Sequence, residues 1–395
     1  MTSSMARDPA ERRLLLLTAV LFLAYLCIAI PLPIVPVFVT AKLGYDNVWA
    51  GLGVGIAFFA TIASRGVSGT FSDRRGARRA LRRGLILYAA GALICLGAGL
   101  LPSAPLAAYG VLLSGRLLIG LGESLVSVSV IGWGVGMVGP ARSSHVLALM
   151  GAAMYGALAV GGPIGVILLD TFGFAAAMAV SALLPLIGLL VTWRMPGVPA
   201  HPDAARPSFF SVIGQIWWHG AIVGLQGVGF AAIGAFFVLY FRDQHWAYAG
   251  LGLTAFGGGF VLVRILFGHW PDRVGGLPVA IVSIGVETVG QILIWSAPHP
   301  AFALAGAFLT GLGCSMVFPA MGREVIRLVD PHLRGTALGA FAAFQDIAYG
   351  LTGPLAGLVA DRTGYGSVFL IGALAAASGF IMAAYLRHRQ KATPD

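Results

Sequence analysis

Residues 64–76 read SRGVSGTFSDRRG, and residues 263–275 read VRILFGHWPDRVG. Both segments follow the pattern R-x3-G-x3-D-R-x-G, and the two copies lie 199 positions apart. The pattern residues are Arg65, Gly69, Asp73, Arg74 and Gly76 in the first copy, and Arg264, Gly268, Asp272, Arg273 and Gly275 in the second. Later, GLGES at residues 120–124 matches GLGCS at residues 311–315, at an offset of 191. Such agreement at two nearly equal offsets indicates a duplicated unit.

The composition is that of a membrane protein. Of 395 residues, 58% are hydrophobic and 10% are charged, and the mean hydropathy is +0.88. Soluble domains carry about a quarter charged residues, so this chain has too little polar surface to cover itself in water. The 56 glycines show no three-residue period and there are only three cysteines, which excludes collagen-like and disulfide-scaffold classes.

Twelve apolar runs are long enough to cross a bilayer, for which about 20 residues are needed. They are predicted near 14–39, 50–72, 84–101, 105–138, 145–169, 174–193, 212–241, 249–270, 278–297, 301–329, 335–360 and 366–386. The only long polar, proline-rich stretch is 194–211, which predicts a cytoplasmic linker. The predicted domains are therefore a six-helix bundle at 1–193, the linker at 194–211 and a six-helix bundle at 212–395.

The basic residues indicate the orientation. With the N-terminus inside, Lys42, Arg242 and Arg362 are the only basic residues in the external loops, and the arginine cluster at 74–83 lies inside. Positive charge marks cytoplasmic loops, so both termini are predicted to be cytoplasmic, in the cell inner membrane. The net charge of +10 is thereby explained without nucleic acid, and the lipid bilayer is the expected partner.

Six spans return the chain to the side on which it started, so both copies run in the same direction. Halves of this kind are related by an axis along the membrane normal, with a substrate site between them near the midplane. Rocking of one half against the other then gives alternating access to a small-molecule substrate.

Two segments resemble characteristic motifs of the major facilitator superfamily. Residues 69–79, GTFSDRRGARR, resemble its signature loop between spans two and three, with Ala77 at a usually basic position. Residues 112–122, LLSGRLLIGLG, resemble its fourth-span motif, with Ile119 in place of a common glutamine. The resemblance covers essentially the whole chain and implies an all-α integral membrane fold of twelve helices in two six-helix repeats. It also implies that spans one, four, seven and ten line the substrate cavity.

Residues 156–165, GALAVGGPIG, resemble the family's fifth-span antiporter motif, which accompanies export, although Gly165 comes one residue early. Within the family, the chain is most similar to bacterial drug/proton antiporters and arabinose-efflux-like exporters. The resemblance implies a secondary active transporter that exports a small organic molecule by proton-coupled antiport. Proton-coupled uptake of a sugar or organic acid, and a non-transporting receptor on a transporter fold, are the alternatives.

Ionisable residues inside spans are few, namely Arg116, Glu123, Glu287 and Asp346. Each costs roughly 2.5–3.5 kcal/mol to insert, so such residues usually face an interior cavity and carry function. The repeat relates Glu123 to Cys314, Asp346 to Tyr155 and Glu287 to Tyr88, so no carboxylate belongs to the duplicated scaffold. Glu123 and Asp346 are the predicted proton carriers, and the family resemblance lends a role in proton coupling to Arg116.

The other candidate residues form three groups. The predicted substrate-cavity residues are Tyr25, Gln215, Gln226, Met316, Phe318, Gln345 and Tyr349. The two pattern copies, with Arg65 and Arg264 on the same helix faces as Asp73 and Asp272, are predicted to form a cytoplasmic latch between the halves. The predicted hinges are Gly162, Pro163, Gly353 and Pro354, where close packing is an equally good explanation.

An enzyme requires a reactive constellation, and none of the usual catalytic or nucleotide motifs is present. We therefore expect no catalytic residue, no metal site and no cofactor, with the proton gradient as the energy source. A monomer is expected, because a twelve-span duplicated chain encloses its own site.

Overall fold

The computed structural model describes residues 9–101, 103–139, 142–198, 210–330 and 333–392, and every regular element in these ranges is a helix. Twelve long helical segments follow one another: α1 (Pro9–Lys42), α2 (Asn47–Arg75), α3 (Ala77–Gly99), α4 (Pro105–Val138), α5 (Ser143–Phe172), α6 (Phe174–Trp193), α7 (Phe210–Asp243), α8 (Leu251–Phe267), α9 (Gly276–Trp295), α10 (Pro300–Leu328), α11 (Arg334–Thr363) and α12 (Gly366–Ala392). A short helix, Trp270–Val274, lies between α8 and α9.

The predicted all-α integral membrane fold is confirmed. Ten of these segments are long and apolar enough to cross a membrane within the described residues. The other two are α8, which is a shorter apolar helix, and α11, whose middle contains Gln345 and Asp346. In α1, the regular α-helix breaks at Ile30, whose N–H still donates to the carbonyl oxygen of Leu26 at 3.0 Å, because the prolines at 31, 33 and 36 have no N–H to donate.

The third helix begins at Ala77, seven residues before the predicted start at 84. The intervening arginines are good helix formers, and their side chains find partners at the end of α6. Arg78 and Arg82 each donate a hydrogen bond of 3.0 Å to the carbonyl oxygens of Trp193 and Thr192, respectively. The arginine cluster therefore extends α3 and ties it to α6 instead of forming a loop.

Consecutive helices run in opposite directions, which gives the bundle two ends. We call the end that holds Pro9 and Ala392 the terminal end, and the end that holds Lys42, Asp243 and Gly364 the far end. Toward the far end, helices of the two halves approach closely at glycines: Gly51 of α2 lies against the backbone of Gly353 of α11, and Gly257 of α8 lies against Ala159 of α5. Small residues permit such close helix packing within a membrane.

Polar contacts also join the halves at the far end. Asn47 Nδ2 donates to Asp361 Oδ1 at 2.7 Å, and Tyr365 Oη donates to Asn47 Oδ1 at 3.1 Å. Arg242 and Asp170 form an ion pair at 2.5 Å. Burial of Tyr365 raises the pKa of its hydroxyl above the ordinary value, so the hydroxyl remains a hydrogen-bond donor further into alkaline pH. These contacts close the far end of the bundle.

The buried apolar residues show the same asymmetry. One cluster includes residues of both halves, such as Phe38, Phe174 and Phe237, whereas a second belongs to the C-terminal half alone and includes Ile216 and Phe341. The halves thus share a core toward the far end. The predicted linker at 194–211 falls between α6 and α7, and residues 199–209 lie outside the described residues.

Candidate functional site

The centre of the bundle contains an ion pair between the two halves. The Arg65 guanidinium of α2 hydrogen-bonds to the Asp346 carboxylate of α11, and the two residues are 281 positions apart in the chain. Both residues lie inside their helices, away from the ends. Their side chains are 23% and 13% exposed, so a charge pair is held in largely apolar surroundings. Its two members belong to different halves, so the pair is sensitive to their relative position.

Glu123 of α4 lies next to this pair. Tyr25 of α1 donates a hydrogen bond to Glu123 Oε1 at 3.3 Å, and Thr61 of α2 lies 3.5 Å from Glu123 Oε2. Asp346 and Arg65 both lie within electrostatic range of its carboxylate. Three helices of the N-terminal half thus bring Glu123 to the boundary with the other half.

Arg116 is buried and does not form an ion pair with Glu123. Its Nε atom donates to the carbonyl oxygen of Gly53 at 3.0 Å, and its Nη2 atom donates to that of Val54 at 3.2 Å. The seven-residue spacing places the two side chains about 10 Å apart along α4, which explains why they do not meet. Arg116 therefore joins α4 to α2.

Aromatic rings from both halves lie near the ion pair, and Tyr155 and Tyr349 are within electrostatic range of Asp346. Tyr155 of α5 stacks on Phe260 of α8, with ring centroids 3.3 Å apart. Tyr349 of α11 packs edge-on against Phe58 of α2 at 5.2 Å and against Phe230 of α7 at 5.0 Å. The rings come from both halves and form an apolar wall suited to an organic molecule.

A second carboxylate is buried inside the C-terminal half. Glu287 of α9 has no exposed surface and forms no ion pair with any described residue. Gln226 of α7 and Cys314 of α10 lie beside it. Gln226 also accepts a hydrogen bond of 3.5 Å from Gln345, the neighbour of Asp346. A line of amides thus connects Glu287 to the centre of the bundle.

The predicted cavity residues are therefore only partly brought together. Tyr25, Gln226, Gln345 and Tyr349 lie around the central pair. Three others lie elsewhere, and all three are on the α7 or α10 part of the C-terminal half. Gln215 is exposed near the start of α7, whereas Met316 and Phe318 pack in the apolar core of that half. Composition and helix number do not reveal which face of a helix points to the cavity.

The residues of the repeated pattern are divided between two places. Arg65 lies in the central pair, and Arg264 lies against the Phe260 ring at 5.4 Å, so neither accompanies its aspartate. Gly69 is buried, Arg74 and Arg273 are exposed, and Gly268 ends α8. Gly76 and Gly275 adopt φ values of +87° and +103°, which favour glycine because a side chain is strained there.

In the second copy of the pattern, the carboxylate at the positive end of a helix is not that of Asp272. Glu324 of α10 accepts a hydrogen bond of 2.9 Å from the N–H of Gly276, the first residue of α9. Arg323 lies 3.7 Å from both Asp272 and Glu324. This ion-pair network lies within the C-terminal half.

The predicted hinge residues lie where the two halves touch. Pro163 lies inside α5 and Pro354 inside α11. A Cβ atom added to Gly162 would lie 2.8 Å from Leu253, and one added to Gly353 would lie 2.9 Å from the carbonyl carbon of Gly51. In this conformation their contribution is close packing at the far end.

Tyr155, Arg264 and the phenylalanine rings are central residues that the sequence did not single out as ligands. The duplication contained a signal for two of them, because Tyr155 is the repeat partner of Asp346 and Arg264 is that of Arg65. Since Arg65 and Asp346 meet, their repeat partners are expected to be neighbours, and Arg264 lies within electrostatic range of Tyr155.

Sequence comparisons agree with this architecture. The profile of the Major Facilitator Superfamily matches residues 17–248 and 220–395. An uncharacterized MFS-type transporter of Salmonella typhimurium is 41% identical over 365 residues, which cover 92% of this chain and 93% of the relative. Another from Burkholderia mallei is 40% identical over 370 residues, which cover 93% and 90% of the two chains.

Solved structures share the fold at low sequence identity. A D-xylose-proton symporter matches with a TM-score of 0.80 at 15% identity, over 94% of this chain and 96% of the symporter. The nucleoside transporter NupG matches with a TM-score of 0.77 at 16% identity, over 94% and 99% of the two chains.

Proposed function

Because the chain belongs to the major facilitator superfamily of membrane transporters, we propose that it exports a small organic molecule across the cytoplasmic membrane by proton-coupled antiport. Both termini are cytoplasmic in this proposal, and the monomer is the working unit. The observation that carries the proposal is the Arg65–Asp346 ion pair between the two halves, with Glu123 beside it.

Proton binding at this pair would act directly on the contact between the halves. Arg65 attracts Asp346 only while the carboxylate is charged, and in apolar surroundings this attraction is stronger than in water. A proton on Asp346 removes the attraction and leaves Arg65 free to approach Glu123. Protonation thereby changes which residues hold α2 and α11 together, which is the requirement for a shift between two conformations.

Glu123 is suited to be the second carboxylate, after Asp346, that carries the transferred proton. Tyr25 donates to the charged carboxylate, and the hydroxyl oxygen of Tyr25 or Thr61 can accept from the neutral one; the Thr61 proton itself is donated to the carbonyl oxygen of Gly120. Arg116 supports this position by fixing α4 against α2. Substrate would bind against the aromatic wall, within reach of both carboxylates.

The direction of transport rests on the α5 segment at 156–165 and its resemblance to the antiporter motif. The closed far end fits an exporter waiting for substrate from the cytoplasm, because the predicted orientation makes the far end external. Toward the terminal end of α2, a Cβ atom added to Gly66 would have no described atom within 4 Å, and Val67 is 73% exposed. The close packing of α2 against α11 at Gly51 is therefore not repeated at Gly66, toward the terminal end.

The test uses everted membrane vesicles that hold a pH gradient. Drugs, sugars and zwitterionic metabolites are added in turn, and proton movement is followed with a pH-sensitive dye. We expect one class of compound to collapse the gradient in wild-type vesicles and to have no effect with Glu123→Gln or Asp346→Asn. Asp243→Asn, the same chemical change at an exposed position, is the matched control and should behave as wild type.

Three results would count against the proposal. Accumulation inside intact cells on expression would indicate uptake by symport. Ligand binding without counterflow would indicate a receptor. Wild-type proton movement in both carboxylate variants would exclude Glu123 and Asp346 as the coupling groups.

A further inference from the structure

Each repeat places the first arginine of its repeated pattern near the centre of the bundle, and only one of these two arginines has a counter-charge among the described residues. Arg65 on α2 pairs with Asp346 on α11. Its repeat partner Arg264 on α8 faces α5, where the repeat partner of Asp346 is Tyr155. Arg65 therefore has a carboxylate beside it, whereas Arg264 has the neutral phenol of Tyr155 at the equivalent position.

No carboxylate pairs with Arg264 anywhere in the described part of the chain. Its Nε atom is buried and has no hydrogen-bond partner there. The guanidinium lies 5.4 Å from the centre of the Phe260 ring, and its Nη2 atom is 3.9 Å from the Cβ position of Gly151 on α5. Arg264 is half-buried, and a partly desolvated guanidinium without an anion costs free energy, which a bound anion would recover.

We propose that Arg264 binds the carboxylate of the transported substrate, and that the substrate is an organic monocarboxylate. The carboxylate would stand beside Arg264 as the Asp346 carboxylate stands beside Arg65. Arginine suits this role because its planar fork can donate two parallel hydrogen bonds to one carboxylate. The Tyr155 hydroxyl, within electrostatic range of both Arg264 and Asp346, is the additional donor.

The residues around Arg264 also indicate the chemistry of the rest of the substrate, beyond its carboxylate. Tyr155 and Phe260 are stacked beside it, and Phe230 and Phe256 follow at ring distances of 5.1–6.5 Å. These rings accommodate an apolar body and offer few hydrogen bonds to a sugar. The substrate class is thus a carboxylic acid with an aromatic or aliphatic body.

This inference rests on the proposed function, because the bound acid is a substrate only if the protein transports it. The test of acid binding itself needs no proton gradient. Purified full-length protein in lipid nanodiscs is heated with benzoate or 3-phenylpropionate, with their amides, and with 2-phenylethylamine. We expect both acids to raise the unfolding temperature in a concentration-dependent way, and the amides and the amine to have no such effect. Apparent affinity for the acids should fall roughly tenfold or more in Arg264→Gln, because a hydrogen-bonded charge pair is lost.

Two variants make the result specific. Arg264→Lys keeps the charge without the fork and should retain part of the acid effect. Arg362→Gln removes an exposed arginine and should respond to the acids as wild type does. Gel filtration of each variant confirms that it is folded before it is heated.

The proposal is overturned if neither acid stabilises the wild type, if the amides stabilise it equally, or if Arg264→Gln keeps full acid affinity. Acid binding without proton exchange in vesicles would instead contradict only the antiport. Proton-coupled export of cations or sugars with no acid binding would contradict only the carboxylate site.

Discussion

The Nε atom of Arg116 lies 3.0 Å from the carbonyl oxygen of Gly53, so the middle of α4 is bound to the backbone of α2. Thr61 of α2 makes a second connection by donating to the carbonyl oxygen of Gly120 at 3.0 Å. Both bonds lie within two turns of Glu123 on α4. The N-terminal half therefore holds its carboxylate on a fixed pair of helices, and the changing contact is the one with Asp346.

Arg116 is expected to act through this attachment. Arg116→Lys has one ammonium group for two carbonyl oxygens, so it should lower the free energy of unfolding by about 1.5–3 kcal/mol, the value of a hydrogen bond to a charged group. Thermal unfolding in detergent measures the loss. Substrate-dependent proton movement should slow only in part, whereas Glu123→Gln should abolish it. Complete loss of proton movement in a stable Arg116→Lys protein would show a direct role in coupling.

The Arg65–Asp346 pair predicts a charge-reversal rescue. Asp346→Asn should cost about 1–3 kcal/mol, below the loss of a fully buried pair, because the side chains remain 23% and 13% exposed. Arg65→Asp and Asp346→Arg should each destabilise the protein when made alone, and combining them should recover most of the loss. The unfolding temperatures of the wild type, the two single reversals and the double reversal form a double-mutant cycle. Additive effects in that cycle would show that the two residues do not interact.

The glycine contacts predict a shift between conformations. In Gly353→Ala, the new Cβ would lie 2.9 Å from the Gly51 carbonyl carbon, and such overpacking costs about 1–3 kcal/mol in the conformation closed at the far end. Labelling of a single cysteine placed at Val48, with the three native cysteines replaced, should therefore become faster. Gly339→Ala, on the same helix with no atom near its Cβ position, is the control and should leave the labelling rate unchanged.

The stability of the protein is predicted to depend on the size of the Glu287 side chain more than on its charge. It forms no ion pair with any described residue, so Glu287→Gln, which keeps the size and two polar atoms, should change the free energy of unfolding by less than about 1 kcal/mol. Glu287→Ala leaves a cavity between α9 and α10 and should cost about 2–4 kcal/mol. Chemical unfolding of both variants tests this order. A larger loss of unfolding free energy in Glu287→Gln than in Glu287→Ala would show that the carboxylate has a charged partner.

The course of the chain through the membrane was predictable because hydrophobicity along a helix is a local property. The predicted spans at 105–138 and 174–193 have the same limits as α4 and α6. The predicted start of α3 is seven residues late, since the arginines at 78–83 precede the apolar run but already belong to the helix. Their partners are carbonyl groups at the end of α6, more than 100 residues away in the chain, which no local pattern contains.

The candidate site was predictable only in its chemical types. Glu123 and Asp346 stood out because charges are rare within spans, and both lie at the centre of the bundle. Met316 and Phe318 were chosen on the helix expected to line the cavity, but they face the core of their own half. The rotation of a helix about its axis depends on packing with its neighbours, so a helix number alone does not identify the residues that face the cavity.

By itself, the sequence determined the all-helical membrane fold, the succession of twelve helical segments, the duplication and the few charges placed within the apolar runs. Hydrophobic length and repetition require these, whatever the final packing is. Only the tertiary structure decided that Arg65 meets Asp346, that Arg116 binds α2 rather than Glu123, and that Arg264 stands beside a tyrosine. Those contacts depend on how closely glycine-lined helices from the two halves approach, which is a property of matched surfaces far apart in the chain.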